Sequence, residues 1–118
     1  MTRALAQDFA GRGVVFVDAP VARTVEHAKA GTLAIMTGGD PADVEAVMPV
    51  LRTMGDTFTH CGPLGNAHAM KLVNNFMLLT IAQVSAEAVA LGTKLGLDIE
   101  TILGVTGGTT AQNGQLHT

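Results

Sequence analysis

Residues 62–95 read GPLGNAHAMKLVNNFMLLTIAQVSAEAVALGTKL. From about Asn66 to about Leu95 there is no proline and only Gly92 interrupts, so the spacing predicts one helix of about 30 residues, roughly 45 Å long at 1.5 Å per residue. A helix that long, and apolar nearly all round, needs cover from another domain or subunit. Gly96 ends it, Asp98 caps a short helix to about Thr106, and residues 107–118 are polar, turn-rich and expected to be loose.

Upstream of the Gly62-Pro63 break the pattern changes to alternating strands and helices. Thr2 to Gly13 reads as the end of an amphipathic helix, with Leu5 and Phe9 four apart and Gly11 and Gly13 as stop signals. Val14-Val15-Phe16-Val17 is an unbroken β-branched and aromatic run, expected to be a parallel strand covered on both faces and broken by Ala19-Pro20. Gly31 closes a short polar helix, Leu33 to Met36 is a second strand, and Gly38-Gly39 ends it. Asp40-Pro41 starts a helix, with Asp40 expected to accept from first-turn amides and Val44, Val47, Met48 and Leu51 as its buried face. Gly55 is read as its stop and Thr57 to His60 as a brief strand. No internal repeat is visible.

At 118 residues the chain holds one domain at most, and with 47% hydrophobic against 14% charged residues it is not a disordered chain. Seven Lys and Arg against ten Asp and Glu give a net charge of −3 with no basic cluster, so no surface is built to track nucleic-acid phosphates. A single cysteine, Cys61, forms no intramolecular disulfide and fits a reducing cytoplasm. Arg3 and Asp8 within a helical pattern do not read as a secretory leader. Leu72 to Ala86 is shorter than the about 20 residues of a bilayer span and contains Asn74, Asn75 and Gln83, so no membrane helix is expected.

Lys71, Asn74, Asn75 and Leu78 fall at i, i+3, i+4 and i+7, on one face of the long helix among apolar neighbours. A lysine in a partly dry site is a credible proton carrier, and amides orient a carbonyl or hydroxyl without adding charge. The alternative is a lysine lying along the helix with the asparagines bonding a neighbouring loop. Gly62-Pro63-Leu64-Gly65-Asn66 leads into a helix N-terminus, where free amides favour either an anion or a close-packed backbone. Arg23 and Thr24 follow the expected strand end at Asp18-Ala19-Pro20, the edge where open α/β sheets bind ligands. The guanidinium fork suits carboxylate, sulfonate or phosphate, although an arginine in a loop is more often a solvated charge. His27, His60, His68 and His117 lack metal-ligand spacing and are given no role, and Cys61 and the methionines read as core filling. No G-x-G-x-x-G occurs, and Gly107-Gly108-Thr109-Thr110 lacks the spacing and lysine of a P-loop.

Taken together, Val17-Asp18-Ala19-Pro20-Val21, Gly31-Thr32-Leu33-Ala34-Ile35-Met36 with Gly38-Gly39, and Gly65 followed by Lys71-Leu72-Val73-Asn74-Asn75 resemble the β-hydroxyacid dehydrogenase family. That group includes the 3-hydroxyisobutyrate dehydrogenases, tartronate semialdehyde reductases and, more distantly, 6-phosphogluconate dehydrogenases. The resemblance spans the chain. It implies an α/β fold in which residues 1–62 are the C-terminal portion of a Rossmann-like NAD(P)-binding domain, and residues 63–118 are the interdomain helix and the start of an all-α domain like that of 6-phosphogluconate dehydrogenase.

It further implies hydride transfer between NAD or NADP and a small anionic hydroxy acid or semialdehyde, with Lys71 as the catalytic lysine. Asn74, Asn75 and Leu78 would lie toward substrate, and the full-length form would be a homo-oligomer. Two positions depart from the family pattern: Ala22-Arg23-Thr24 replaces Ser-Gly-Gly, and Ala67 replaces a glycine. The first is similar to the branch of sulfolactaldehyde reductases and γ-hydroxybutyrate dehydrogenases, which implies that Arg23 and Thr24 face the substrate's anion. Ser85-Ala86-Glu87-Ala88 also resembles that branch. The family's Gly-rich fingerprint and its later cofactor-facing lysine are absent, so the chain resembles a middle piece and the isolated segment is expected to be inactive. The rival readings are a non-catalytic module that self-associates or pairs with an intact subunit, and a decarboxylating dehydrogenase of the 6-phosphogluconate type with Arg23 as a phosphate clamp.

Overall fold

A computed structural model describes residues 1–117. The chain forms two compact units, Met1–Val73 and a second from Asn74 onward. In the first, helix α1 (Thr2–Ala10) is followed by strand β1 (Val21–Ala22), helix α2 (Val25–Ala30), strand β2 (Leu33–Thr37), helix α3 (Pro41–Leu51) and strand β3 (Gly55–His60). The sheet order is β1-β2-β3, with β2 and β3 parallel and β1 antiparallel to β2. Helix α4 (Asn66–Lys94) begins in this unit and continues into the second, where α5 (Ile99–Gly107) follows.

The core of the first unit follows from the two-residue period of β2. Leu33, Ile35 and Thr37 are buried on one face, and Val44, Met48 and Leu51 of α3 cover them at helical spacing. Ile35 is 1% exposed, burial that contributes about 1.5–3 kcal/mol for a side chain of its size. Val17, Ala19, Val47 and Phe58 pack around this cluster.

The expected strand at Val14–Val17 does not form. Its β-branched residues have strand propensity, but no described strand lies beside them to complete a ladder. Val14 N donates to Phe9 O at 3.0 Å, and the Phe9 and Phe16 rings stack with centroids 5.3 Å apart, so the run is tied to α1 instead. Pairing starts at Asp18, whose backbone exchanges hydrogen bonds with Gly38, and it is antiparallel rather than parallel.

Two local signals also act differently from expectation. Asp40 is the N-cap of α3, yet its carboxylate accepts no first-turn amide; it is exposed to water, and its carbonyl accepts from Val44 N at 3.0 Å. Gly55 does not stop α3, which ends at Leu51; it opens β3, where a Cβ would stand 2.3 Å from Leu33 O. The missing side chain lets β3 approach β2.

α4 has the expected extent, 29 residues. By length and composition it is long and apolar enough to cross a bilayer, so the length argument drawn from Leu72–Ala86 does not hold for the helix as a whole. Leu72 (71%), Phe76 (73%) and Leu79 (68%) are exposed, in keeping with a helix that needs cover.

In the second unit Asp98 caps α5 through Thr101 N at 2.8 Å. A Cβ on Gly92 would meet Ile102 Cδ1 at 2.6 Å, so this glycine lets α5 pack closely on α4. The segment after α5 is tied down, against expectation. His117 bonds Thr106 Oγ1 at 2.9 Å and accepts from Asn113 N at 3.1 Å, and Ser85 Oγ donates to Asn113 Oδ1 at 3.3 Å. Polar side chains that read as solvated in sequence satisfy one another here.

Candidate active site

The extended segment Asp18-Ala19-Pro20-Val21, antiparallel to β2, grips the first turns of α4 at two points. Asp18 is 2% exposed, and both carboxylate oxygens are used: Oδ1 accepts from Gly65 N at 3.0 Å and Oδ2 from His68 N at 2.9 Å. Three residues on, Val21 O accepts from Lys71 Nζ at 2.6 Å. One hydrogen of the ammonium is thereby directed, and two remain for another acceptor.

The glycines around this junction are needed where they stand. A Cβ on Gly38 would lie 2.3 Å from Asp18 Oδ1, and one on Gly62 would lie 2.7 Å from Asn66 Nδ2, which donates to Cys61 O at 3.0 Å. Ala67, where the resemblance expects glycine, is fully buried without disturbing the helix. The start of α4 therefore meets an anion that the protein carries itself, because one loop amide, Gly65 N, and one amide of the first helical turn, His68 N, serve the Asp18 carboxylate. Sequence reasoning took Asp18 only as a strand end and missed this role.

Asn74 and Asn75 lie along α4 at the predicted spacing from Lys71, with Leu78 a turn further on. Among the described residues the Asn74 and Asn75 side chains form no hydrogen bond; Asn74 is exposed and Asn75 half-buried. Cys61 is half-buried rather than core, and with Met36, Thr59, Asn66, Met70 and Val73 it lines a mostly apolar recess of about 640 Å³.

Arg23 stands elsewhere. It follows the C-terminal end of β1, but β1 is antiparallel, so the residue arrives at the N-terminal edge of β2 and β3 rather than the ligand-binding edge inferred from sequence. Its φ of 85° is the one positive value among the non-glycine residues described. The guanidinium donates to Thr32 O at 2.9 Å, Asp56 Oδ1 at 2.9 Å and Thr57 Oγ1 at 3.1 Å. The Thr57 hydroxyl most of all, and Arg23 beyond the opposing desolvation, hold the Asp56 carboxyl below its ordinary range. Thr24 is the N-cap of α2, and its hydroxyl lies 2.8 Å from His27 Nδ1. The structure thus gives Arg23 and Thr24 partners within the protein, while Lys71 belongs to the first unit and Asn74 and Asn75 to the second.

Among the described residues no group of three or more His, Cys, Asp or Glu side chains could hold a metal ion. A dinucleotide does not fit this chain as its whole holder, since Gly65 N and His68 N at the start of the long helix are bonded to Asp18 and no G-x-G-x-x-G is present.

Two family models match. Residues 1–62 match the NAD binding domain of 6-phosphogluconate dehydrogenase, and residues 65–118 match the NAD-binding domain of NADP-dependent 3-hydroxyisobutyrate dehydrogenase. The chain is 41% identical to 2-(hydroxymethyl)glutarate dehydrogenase of Eubacterium barkeri over 90% of its own length and 35% of the relative's. It is 35% identical to 3-sulfolactaldehyde reductase of Escherichia coli over 99% of its length and 39% of the relative's. The solved 3-hydroxyisobutyrate dehydrogenase of Mycobacterium tuberculosis with L-serine superposes with a TM-score of 0.90 at 37% identity, covering 99% of this chain and 40% of that one. The chain thus spans between 35% and 40% of the length of these proteins. On its motifs, its fold and these matches, it belongs to the β-hydroxyacid dehydrogenase family of NAD(P)-dependent oxidoreductases.

Proposed function

We propose that this chain carries the proton-handling part of an NAD(P)-dependent dehydrogenase that interconverts a small anionic hydroxy acid and its semialdehyde, with Lys71 as the proton carrier. The observation that supports this best is the directed ammonium: Lys71 Nζ is held at 2.6 Å by Val21 O while Asn74 and Asn75 present free amides along the same helix. In reduction, Nζ protonates the nascent alkoxide; in oxidation, the neutral amine accepts the alcohol's proton. NAD(P), when bound by the intact enzyme, supplies or accepts the hydride. Asn74 and Asn75 orient the substrate oxygens, and Leu78 closes the apolar side. Arg23, with Thr24 beside it, remains the cation expected to meet the anionic tail of a sulfolactaldehyde or succinic semialdehyde, which from its place at the N-terminal edge of β2 and β3 requires that substrate displace Asp56. The protein works in the cytoplasm as a homo-oligomer.

The test is a chimaera in which this chain replaces the matching 40% of the M. tuberculosis enzyme. Lys71→Ala should lower turnover by about 10²- to 10⁴-fold, the contribution of a general acid. Lys71→Arg should not restore it, because a guanidinium keeps its charge but releases no proton near neutral pH. Near-normal turnover in both variants removes Lys71 from the chemistry.

A second reading, a non-catalytic module that pairs with itself or with an intact subunit, is favoured by the exposed Leu72, Phe76 and Leu79 of α4. Under either reading the 118-residue chain alone binds NADH poorly. Stoichiometric micromolar binding to a monomer by calorimetry, or reduction of any semialdehyde, refutes that expectation.

A further inference from the structure

We infer that Asp18 is a positioning residue for Lys71: its buried carboxylate sets the rotation and height of α4's first turns against the extended Asp18–Val21 segment, and so aims the Lys71 ammonium. The inference rests on the proposed role of Lys71. It deepens that role by naming the group that holds the lysine in place.

Three observations converge on it. The carboxylate makes two charge-assisted hydrogen bonds to amides three residues apart, Gly65 N and His68 N, so it fixes the helix end against both rotation and sliding. The Asp18 backbone is itself anchored, exchanging bonds of 3.1 Å and 2.9 Å with Gly38. Lys71 lies three residues beyond His68 and reaches Val21 O, three residues beyond Asp18, so the two grips close one small ring of contacts between an extended segment and a helix. A displacement of α4 at Asp18 is therefore passed directly to Nζ.

Gly38 supplies an independent handle. Its φ is not in the positive range, so alanine is acceptable to the backbone, and the three nearest atoms its Cβ would meet all belong to the Asp18 carboxylate, with Oδ1 at 2.3 Å. Gly38→Ala should push the carboxylate off the amides while leaving its charge in place. Asp18→Asn keeps the shape but turns an amide N–H toward a backbone N–H, leaving one buried donor unmatched.

The chain offers a readout on the whole molecule, because its three lysines are Lys29, Lys71 and Lys94. Amine-reactive labelling quantified by peptide mass spectrometry gives the rate at Lys71 relative to the other two, which serve as internal references. Both Asp18→Asn and Gly38→Ala should raise the relative rate at Lys71 several-fold. Gly38→Ala should add nothing in an Asp18→Ala background, where the obstructing carboxylate is gone. An unchanged relative rate in Asp18→Asn and Gly38→Ala, or a Gly38→Ala effect that persists without the carboxylate, overturns the proposal.

In the chimaera, Asp18→Asn should lower kcat by about 10²-fold, the effect of a misplacement near 1 Å, with the cofactor KM unchanged. It should lower kcat no further when Lys71 is already alanine. An equal loss in both backgrounds shows that Asp18 acts otherwise than through Lys71 and refutes the inference. If Lys71→Ala alone leaves turnover normal, the proton-carrier reading fails, and the labelling result still decides whether Asp18 positions the side chain.

Discussion

Arg23 carries two separable loads, and comparing Arg23→Ala with Arg23→Gly pulls them apart. At φ 85° a residue with a Cβ sits in the left-handed region at a cost of about 1–2 kcal/mol. Alanine keeps that cost and glycine removes it, while both lose the bonds to Thr32, Asp56 and Thr57. Glycine gives back about 0.5–1 kcal/mol through its freer unfolded state. Arg23→Gly should therefore be more stable than Arg23→Ala by about 0.5–1 kcal/mol, a difference of about 2–4 °C in Tm for a chain of this size. Thermal and urea unfolding followed by circular dichroism would measure it. In the chimaera, by contrast, the two variants should behave alike toward an anionic semialdehyde, each raising KM by the about 1.5–3 kcal/mol of a charged hydrogen bond, roughly 10- to 150-fold. Equal stability of the two variants refutes the backbone argument. An unchanged KM in both confines the guanidinium to its clamp on the β2–β3 edge.

Asp56→Asn should release the guanidinium and lower the chimaera's KM for an anionic substrate, by no more than a few-fold because the ion pair is exposed; a raised KM would show that Asp56 helps to hold the substrate. Gly55→Ala should destabilise the first unit by about 3 kcal/mol in urea titration, since its Cβ would lie 2.3 Å from Leu33 O and 3.0 Å from Ile35 Cδ1. The bond from Thr101 holds the Asp98 carboxyl below its ordinary 3.8, so the cap's contribution is complete above that value and is lost as pH falls through the lowered one. The Thr101 amide resonance should therefore shift only below about pH 4, and Asp98→Ala should abolish that titration.

The parts of the fold legible in the sequence are those fixed locally. α4 begins within a few residues of Pro63 and ends beside Gly96, because a proline and a glycine bound a run with no other proline. The buried face of α3 follows from spacing alone. What was not legible depends on a partner far along the chain. Val14–Val17 has the composition of a strand but no neighbouring strand, Gly55 matters only because Leu33 O lies against it, and His117 matters only through Thr106 and Asn113. The candidate site divides in the same way. The Lys71, Asn74 and Asn75 face is a property of one helix and can be counted off. The bonds from Asp18 to Gly65 and His68 span 47 and 50 residues, and no local pattern predicts them. Arg23 was placed at the wrong edge because composition does not tell whether a two-residue strand runs with its neighbour or against it.

The partners of Asp18 and Arg23 narrow where a substrate anion can be met. A glycine-bearing loop before a long helix ordinarily offers free amides and a positive dipole end to a carboxylate or phosphate. In this chain Asp18 occupies that position with its own carboxylate, and it is buried too deeply to be exchanged for a solute. Gly65 N and His68 N are thereby taken up, and on the proposed function helix α4 contributes side chains and a fixed axis. On that reading the substrate's charge falls to Arg23, whose present partner is an exposed carboxylate that a solute anion can displace, unlike the amides held by Asp18. On the proposed function the two acidic residues have opposite consequences: Asp56 would compete with substrate for the Arg23 cation, whereas Asp18 takes up two amides at the start of α4 and leaves the Lys71 side chain to meet the reacting oxygen.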